Sequence, residues 1–276
     1  MPSQSPIYDP AVAQAFFESA GKPESVAQGA RIFAENEKGS RILFQRDKMY
    51  LLLEGEISLV AGREVIGTVR KGEVFGEMAA ISQLPRSAAA AAKTDCRLIA
   101  LDDKQFRSGL ARKPAFALML MSIMIGRLRE TIGRLRAANA LQGDAMLEES
   151  AAFDPKRLAE LVAKLSEDPP VYFDRRKPIL QEGQAGMRMY VVLEGNVAVS
   201  IGGSVVERLG PGGVFGELAL VEQAPRLASV AAETDCSLLP INRRAFLALV
   251  ESSPEFAASL LNKLAERLRN LTSRLK

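Results

Sequence analysis

The sequence predicts a mainly β protein with helices: two tandem antiparallel β-roll or jelly-roll barrels, each followed by a long α-helix. Three observations carry this expectation. A segment occurs twice, FGEMAAISQLPR from Phe75 to Arg86 and FGELALVEQAPR from Phe215 to Arg226, and the same spacing of 140 residues pairs Tyr50 with Tyr190, Gly55 with Gly195 and Cys96 with Cys236. A repeat that long is a whole domain rather than a solenoid unit. Short apolar runs bounded by glycine and charged pairs read as strands, and many short strands with regular turns make a small antiparallel barrel. After each set of runs, apolar residues recur at alternating spacings of three and four, which is helical.

In chain order, residues 1–25 are mixed, with helical potential from Pro10 to Ser19. From Val26 to about Asp102 come the strand-like runs ARIF, MYLLLEGEISLV, EVIGTV and CRLIAL, with a longer loop expected near Asn36 to Lys48. The first long helix carries a seam of Leu118, Met121, Ile125, Leu128, Ile132 and Leu135, which Asn139 continues at an a position. Phe116, Leu120 and Met124 widen its apolar face. The seam therefore serves either self-association or packing on its own barrel. Gln142 to Glu149 reads as linker. Asp154-Pro155 then opens a helix, with Asp as N-cap and Pro at the first helical position, and Leu158, Leu161, Val162 and Leu165 form its apolar face. The runs return as PVYF, MYVVLEGNVAVSI, SVVERL and CSLLPI, followed by the seam Leu261, Leu264, Leu268, Leu271 and Leu275. The expected division is a first domain over 1–142 with its long helix, a linker over 143–153 and a second domain over 154–276.

Composition narrows the chemistry. The 276 residues are 47% hydrophobic and 25% charged, as in an ordinary globular protein, and the net charge of +3 is too small to argue for nucleic acid. No apolar run reaches the length of a membrane span, and MPSQSPIYDP is not a signal peptide, so the expected location is cytoplasmic. Histidine is absent, which removes Ser-His-Asp chemistry and His-ligated metal sites. Cys96 and Cys236 occupy one position of the duplicated module and read as small buried hydrophobes. No catalytic residue, metal site or cofactor is expected.

The repeated segment carries the site chemistry. Gly76 after a strand permits a tight turn, and the helix formers Glu77-Met78-Ala79-Ala80 follow, so free backbone N–H groups would face an anion. Arg86 can donate two parallel hydrogen bonds to a phosphate. A carboxylate at Glu77 suits a ligand that also carries a hydroxyl. Phosphate and hydroxyl together suggest a nucleotide, while the bland alternative is an ion pair, Glu77 with Arg86 and Glu217 with Arg226.

F-G-E-[LM]-A, a spacer, then P-R-x-A resembles the phosphate-binding cassette of cyclic nucleotide-binding domains. Such domains occur in regulatory subunits of cyclic-AMP-dependent protein kinase, in cyclic-nucleotide-gated channels and in bacterial catabolite activators. The resemblance implies that Glu77 and Glu217 hold the ribose 2′-hydroxyl and that Arg86 and Arg226 hold the cyclic phosphate. Backbone N–H groups of Gly76, Glu77, Met78 and Ala79, and of Gly216, Glu217, Leu218 and Ala219, would assist, as would Ala88 and Ala228. PRSAAAAAKTDC resembles the activators in particular. By that alignment Ser87 follows the phosphate-binding Arg, and Thr131 falls on the adenine-contacting Thr. The second repeat departs, with Leu227 for Ser87 and Leu271 for Thr131. Thr272 falls where the activators have a Ser contributed by a partner subunit. The implied ligand is cyclic AMP, with cyclic GMP as the alternative.

The activators continue into a helix-turn-helix module, for which about one helix after Pro240 leaves no room. No R-R-x-[AS] inhibitor segment precedes the first barrel. The last helix is basic, with Lys263, Arg267, Arg269, Arg274 and Lys276, and reads as a solvated face rather than a DNA or membrane surface. The expected protein is a cyclic nucleotide receptor without catalytic output. It would dimerise through the long helices and signal to an unidentified partner by helix rearrangement.

Overall fold

The computed structural model describes residues 8–37, 47–141, 149–165 and 169–274. In the first repeat, helix α1 (Pro10–Ala20) is capped by Asp9, whose carboxylate accepts from the Ala11 N–H. Strands β1 (Lys22–Val26), β2 (Arg31–Phe33), β3 (Lys48–Glu54), β4 (Ile57–Ala61), β5 (Glu64–Val69) and β6 (Val74–Phe75) follow. Then come α2 (Glu77–Ser82), β7 (Ala89–Ala92), β8 (Cys96–Asp102), α3 (Asp103–Arg112) and the long α4 (Ala115–Ala137).

After β9 (Glu149–Ser150), the second repeat runs through the same series. It comprises α5 (Pro155–Lys164), β10 (Val171–Phe173), β11 (Pro178–Leu180), β12 (Arg188–Glu194), β13 (Val197–Ile201), β14 (Ser204–Leu209), β15 (Val214–Phe215), α6 (Glu217–Glu222), β16 (Ser229–Ala232), β17 (Cys236–Asn242), α7 (Arg243–Ser252) and α8 (Pro254–Ser273). Asp154 caps α5 by accepting from the Arg157 N–H at 2.9 Å, as the Asp-Pro pair predicts.

Each barrel is built from two sheets of matching order. The first has β1-β8-β3-β6 and β2-β7-β4-β5; the second has β10-β17-β12-β15 and β11-β16-β13-β14, the latter extended by β9. The barrel pairings are antiparallel, and β9 adds a parallel pair to β14, Glu149 opposite Arg208 and Ser150 opposite Leu209. The segment read as linker thus contributes a strand; residues 142–148 lie outside the described part, as do 38–46 of the expected long loop.

The strand alternation places one face inside. Tyr50, Leu52, Ile57, Phe75, Leu98 and Ala100 fill the first barrel, with Phe33, Tyr50 and Phe75 stacked at centroid separations of 5.0–6.2 Å. Val192, Val197, Leu209, Phe215, Val230 and Leu238 fill the second, where Tyr190 stacks on Phe215 at 5.4 Å. Cys96 and Cys236 are buried free thiols.

Compactness divides the chain differently from the linear boundaries read in the sequence. The described residues up to Ile123 group with Glu251–Ala265, and Met124–Val250 groups with the described residues from Glu266 onward. Each unit therefore includes a stretch of both long helices. The seam residues are covered accordingly: Met121, Ile125, Leu128, Ile132 and Leu135 are 0–5% exposed, and Leu261, Leu264, Leu268 and Leu271 are 0–8% exposed, all within one chain. These seam residues pack within one chain, which favours the packing role that the widened apolar face suggested. Asn139 is exposed, with φ +53, in a turn after the end of α4, and holds no register. No single described helix is long and apolar enough to cross a membrane.

Candidate functional site

In both repeats a two-residue strand delivers the chain to a glycine in the left-handed region, Gly76 at φ +71 and Gly216 at φ +85. Only glycine takes this conformation without strain, and it turns the chain at once into α2 or α6. These helices are six residues long. So short a helix adds little dipole, and the charge of the site rests on its arginine.

Arg86 is 5% exposed. Its Nη1 donates to the Gly76 carbonyl at 2.7 Å and its Nη2 to the Lys48 carbonyl at 2.8 Å. Asp47 lies 3.9 Å from Nε, and the guanidinium sits 4.1 Å from the centre of the Phe33 ring. Burial pulls its pKa below the usual arginine range, against the pull of Tyr50, Asp47 and Glu37. Burial likewise pushes the Tyr50 phenol up to about 12. Glu77, Ala79 and Ala88 are buried around it, Met78 is half-buried and Ser87 is exposed.

Arg226 repeats the geometry. Its Nη1 and Nη2 donate to the carbonyls of Gly216 and Arg188, each at 2.6 Å. Where the first repeat has Asp47 the second has Met187, and the Arg226 Nε is buried without a hydrogen-bond partner. Gly186 presses against this guanidinium: a Cβ there would stand 2.1 Å from Nε and 2.2 Å from Cζ. Gly186→Ala is therefore expected to displace the end of a flexible side chain. It should leave thermal stability near wild type while weakening anion binding at the second site alone by about 5- to 30-fold. Equal anion affinity in wild type and variant would show that the displaced guanidinium is not the ligand-holding group.

Seven of the eight residues expected for the second site line one cavity of about 290 Å³: Gly216, Glu217, Leu218, Ala219, Arg226, Leu227 and Ala228. Thr272 does not. It is exposed, and its hydroxyl donates to the Leu268 carbonyl at 2.7 Å, one turn back on α8. The cavity is also lined by Asn270, Leu271 and Ser273 from α8, by Arg274 just after it, and by Leu128 and Ile132 from α4. Thr131 lies on α4 within the second unit and is 9% exposed.

In the second repeat the bland ion-pair alternative is not what forms. Arg86 and Arg226 spend their Nη donors on backbone carbonyls, and Glu217 pairs with Arg267 of α8. Arg267 also donates from Nε to Glu207 at 2.8 Å and from Nη2 to the Val214 carbonyl at 2.5 Å. Burial alone would lower its pKa, but Glu207 and Glu217 outweigh that and hold it above the usual range. The pairing uses one oxygen of Glu217; the other, Oε2, is buried and unpartnered. Arg267 was read in the sequence only as part of a solvated basic face, which the structure corrects: the Arg267 side chain is 14% exposed and Lys263 is 3% exposed. The available signal was Arg127, which stands at the matching position of the first repeat.

The family model of the cyclic nucleotide-binding domain matches residues 23–113 and 170–253, more than half of the chain. Among curated proteins the chain is similar to a cAMP-dependent protein kinase regulatory subunit of Eremothecium gossypii, 27% identical over 226 residues, which are 82% of this chain and 43% of that protein. The chain thus spans less than half the length of that relative. Among solved structures it is similar to the catabolite activator protein of Thermus thermophilus, 33% identical, covering 45% of this chain and 59% of that one with a TM-score of 0.38. It is also similar to the regulatory domain of Toxoplasma gondii PKA with cAMP, 22% identical, covering 94% and 90% with a TM-score of 0.34.

Proposed function

The chain belongs to the cyclic nucleotide-binding domain family, and on that premise we propose that it is a cyclic nucleotide receptor with two binding sites and cyclic AMP as the preferred ligand. The observation that carries this reading is the pair of unpartnered buried atoms in the second cassette. Glu217 Oε2 is an acceptor and Arg226 Nε is a donor, and both residues line the same cavity. A ribose hydroxyl and a cyclic phosphate on one small molecule supply the donor and the acceptor those atoms lack. Buried polar groups left unsatisfied are costly, so ligand binding would remove that cost.

In this reading Glu77 and Glu217 accept from the ribose, and Arg86 and Arg226 donate to the phosphate. Gly76, Met78, Ala79, Ser87 and Ala88, and Leu218, Ala219, Leu227 and Ala228, line the walls. Thr131 on α4 is the candidate for a base edge. The long helices α4 and α8 transmit occupancy to a protein partner by population shift. The role is binding rather than catalysis, and the cytoplasmic placement read from the sequence belongs to this reading. A DNA or membrane adaptor role for α8 loses support because Lys263 is buried and Arg267 is engaged with Glu207 and Glu217.

The test is calorimetric titration of the full chain with cyclic AMP and cyclic GMP. The expected result is two ligands bound per chain, with cyclic AMP the tighter. No binding of either nucleotide at millimolar concentration would overturn the proposal.

A further inference from the structure

Helix α4 touches the second cassette through an ion pair with α6. The Arg129 Nε donates to Glu222 Oε2 at 2.7 Å, with side chains 32% and 14% exposed, and the Arg129 Nη2 reaches the Pro225 carbonyl at 3.4 Å. Glu222 is the last residue of α6, and Pro225 immediately precedes Arg226. One guanidinium therefore bridges the end of the cassette helix and the segment that presents the phosphate-binding arginine. Its neighbours on α4, Leu128 and Ile132, line the same cavity. In the first repeat the position of Glu222 is Ser82, which offers no carboxylate, and its hydroxyl is spent on the Met78 carbonyl at 2.7 Å.

We propose that Arg129 is a positioning residue of the second site: it locks the α6–Arg226 segment in its ligand-competent place and makes second-site affinity depend on α4. The inference rests on the cyclic nucleotide reading of that site. The cavity is already formed with this ion pair in place, so the pair belongs to the binding-competent arrangement and its loss weakens binding.

The experiment uses the full chain carrying Arg86→Ala, so that cyclic AMP titration reads the second site. Arg129→Ala and Glu222→Ala are each expected to lower affinity about three- to tenfold, and the double variant no further than either alone. Arg129→Glu combined with Glu222→Arg should recover most of the loss, and Arg129→Lys should recover part, keeping the charge without the fork to Pro225. Unchanged affinity in the single variants, even with a lower thermal midpoint, would assign the pair a merely structural role and overturn the proposal. Additive losses in the double variant would also overturn it. An Arg86→Ala parent that binds no cyclic AMP would overturn both this proposal and the function it rests on, whereas a binding parent with an unaffected Arg129→Ala variant would overturn this one alone.

Discussion

Arg226→Ala is expected to lower second-site affinity for cyclic AMP by about 10- to 150-fold, the loss of a charge-assisted contact worth about 1.5–3 kcal/mol. Arg86→Ala should do the same to the first site, and neither should affect the other's site to that degree. The structure explains the size of the effect. The guanidinium is held inside the cassette by two backbone carbonyls, and its Nε is left without a partner in a buried place. A phosphate oxygen arriving there exchanges water for a charged donor that is already desolvated and aimed. Arg226→Lys should be nearly as damaging, because one ammonium cannot hold both carbonyls and present a further fixed donor. Titration of each variant reads the result directly. If both alanine variants bind two ligands as tightly as wild type, the arginines are structural and the cassette assignment fails.

The two repeats also predict a difference between the sites. Arg86 has Asp47 near its Nε and Phe33 beneath its guanidinium, whereas Arg226 has Met187 in place of the aspartate. The first arginine is therefore more firmly placed before ligand arrives, and the second retains more unsatisfied polar capacity.

What was legible in the sequence was local. Strand runs, the Asp154 cap and the Gly-Glu…Arg cassette depend on residues close in the chain, and the fixed spacing between copies made the strand and cassette readings count twice. Seven second-site residues could be named because they lie within thirteen positions, Gly216 to Ala228. What was not legible depended on distant partners. Arg267 is 50 residues from Glu217, and Arg129 is 93 from Glu222. A basic residue on a helix reads the same whether it faces water or a buried carboxylate. The Thr272 hydroxyl bonds the carbonyl of Leu268 one turn back, a local partner that the repeat alignment does not announce. An a/d seam in a duplicated chain can also be covered by that chain itself, and periodicity does not say whose surface covers it.

Arg267→Ala is the change expected to cost the fold most. The Glu217 side chain is 3% exposed, and one of its oxygens already lacks a partner. Removing Arg267 strands this carboxylate and takes away the only cation paired with it among the described residues, while Glu207 loses its own 2.8 Å bond. Breaking one side of a buried pair costs about 3–5 kcal/mol, because the remaining charge is uncompensated rather than because the pair itself was strongly favourable. The partial exposure of Arg267 and Glu207 lets water reach the rim and places the expected loss near the lower figure. Urea denaturation of the ligand-free chain measures it. The diagnostic variant is Arg267→Ala combined with Glu217→Gln, which keeps the shape of the side chain and removes its charge. It should recover at least half of the lost stability, since a neutral amide needs no counter-ion. Its second-site affinity should nonetheless stay low, because an amide offers the ribose a weaker acceptor than a carboxylate does. Stability and binding would then separate in one molecule, the first returning and the second not. A single variant as stable as wild type, or a double variant no more stable than the single, would mean that Glu217 finds another partner and that Arg267 does not hold this carboxylate in place.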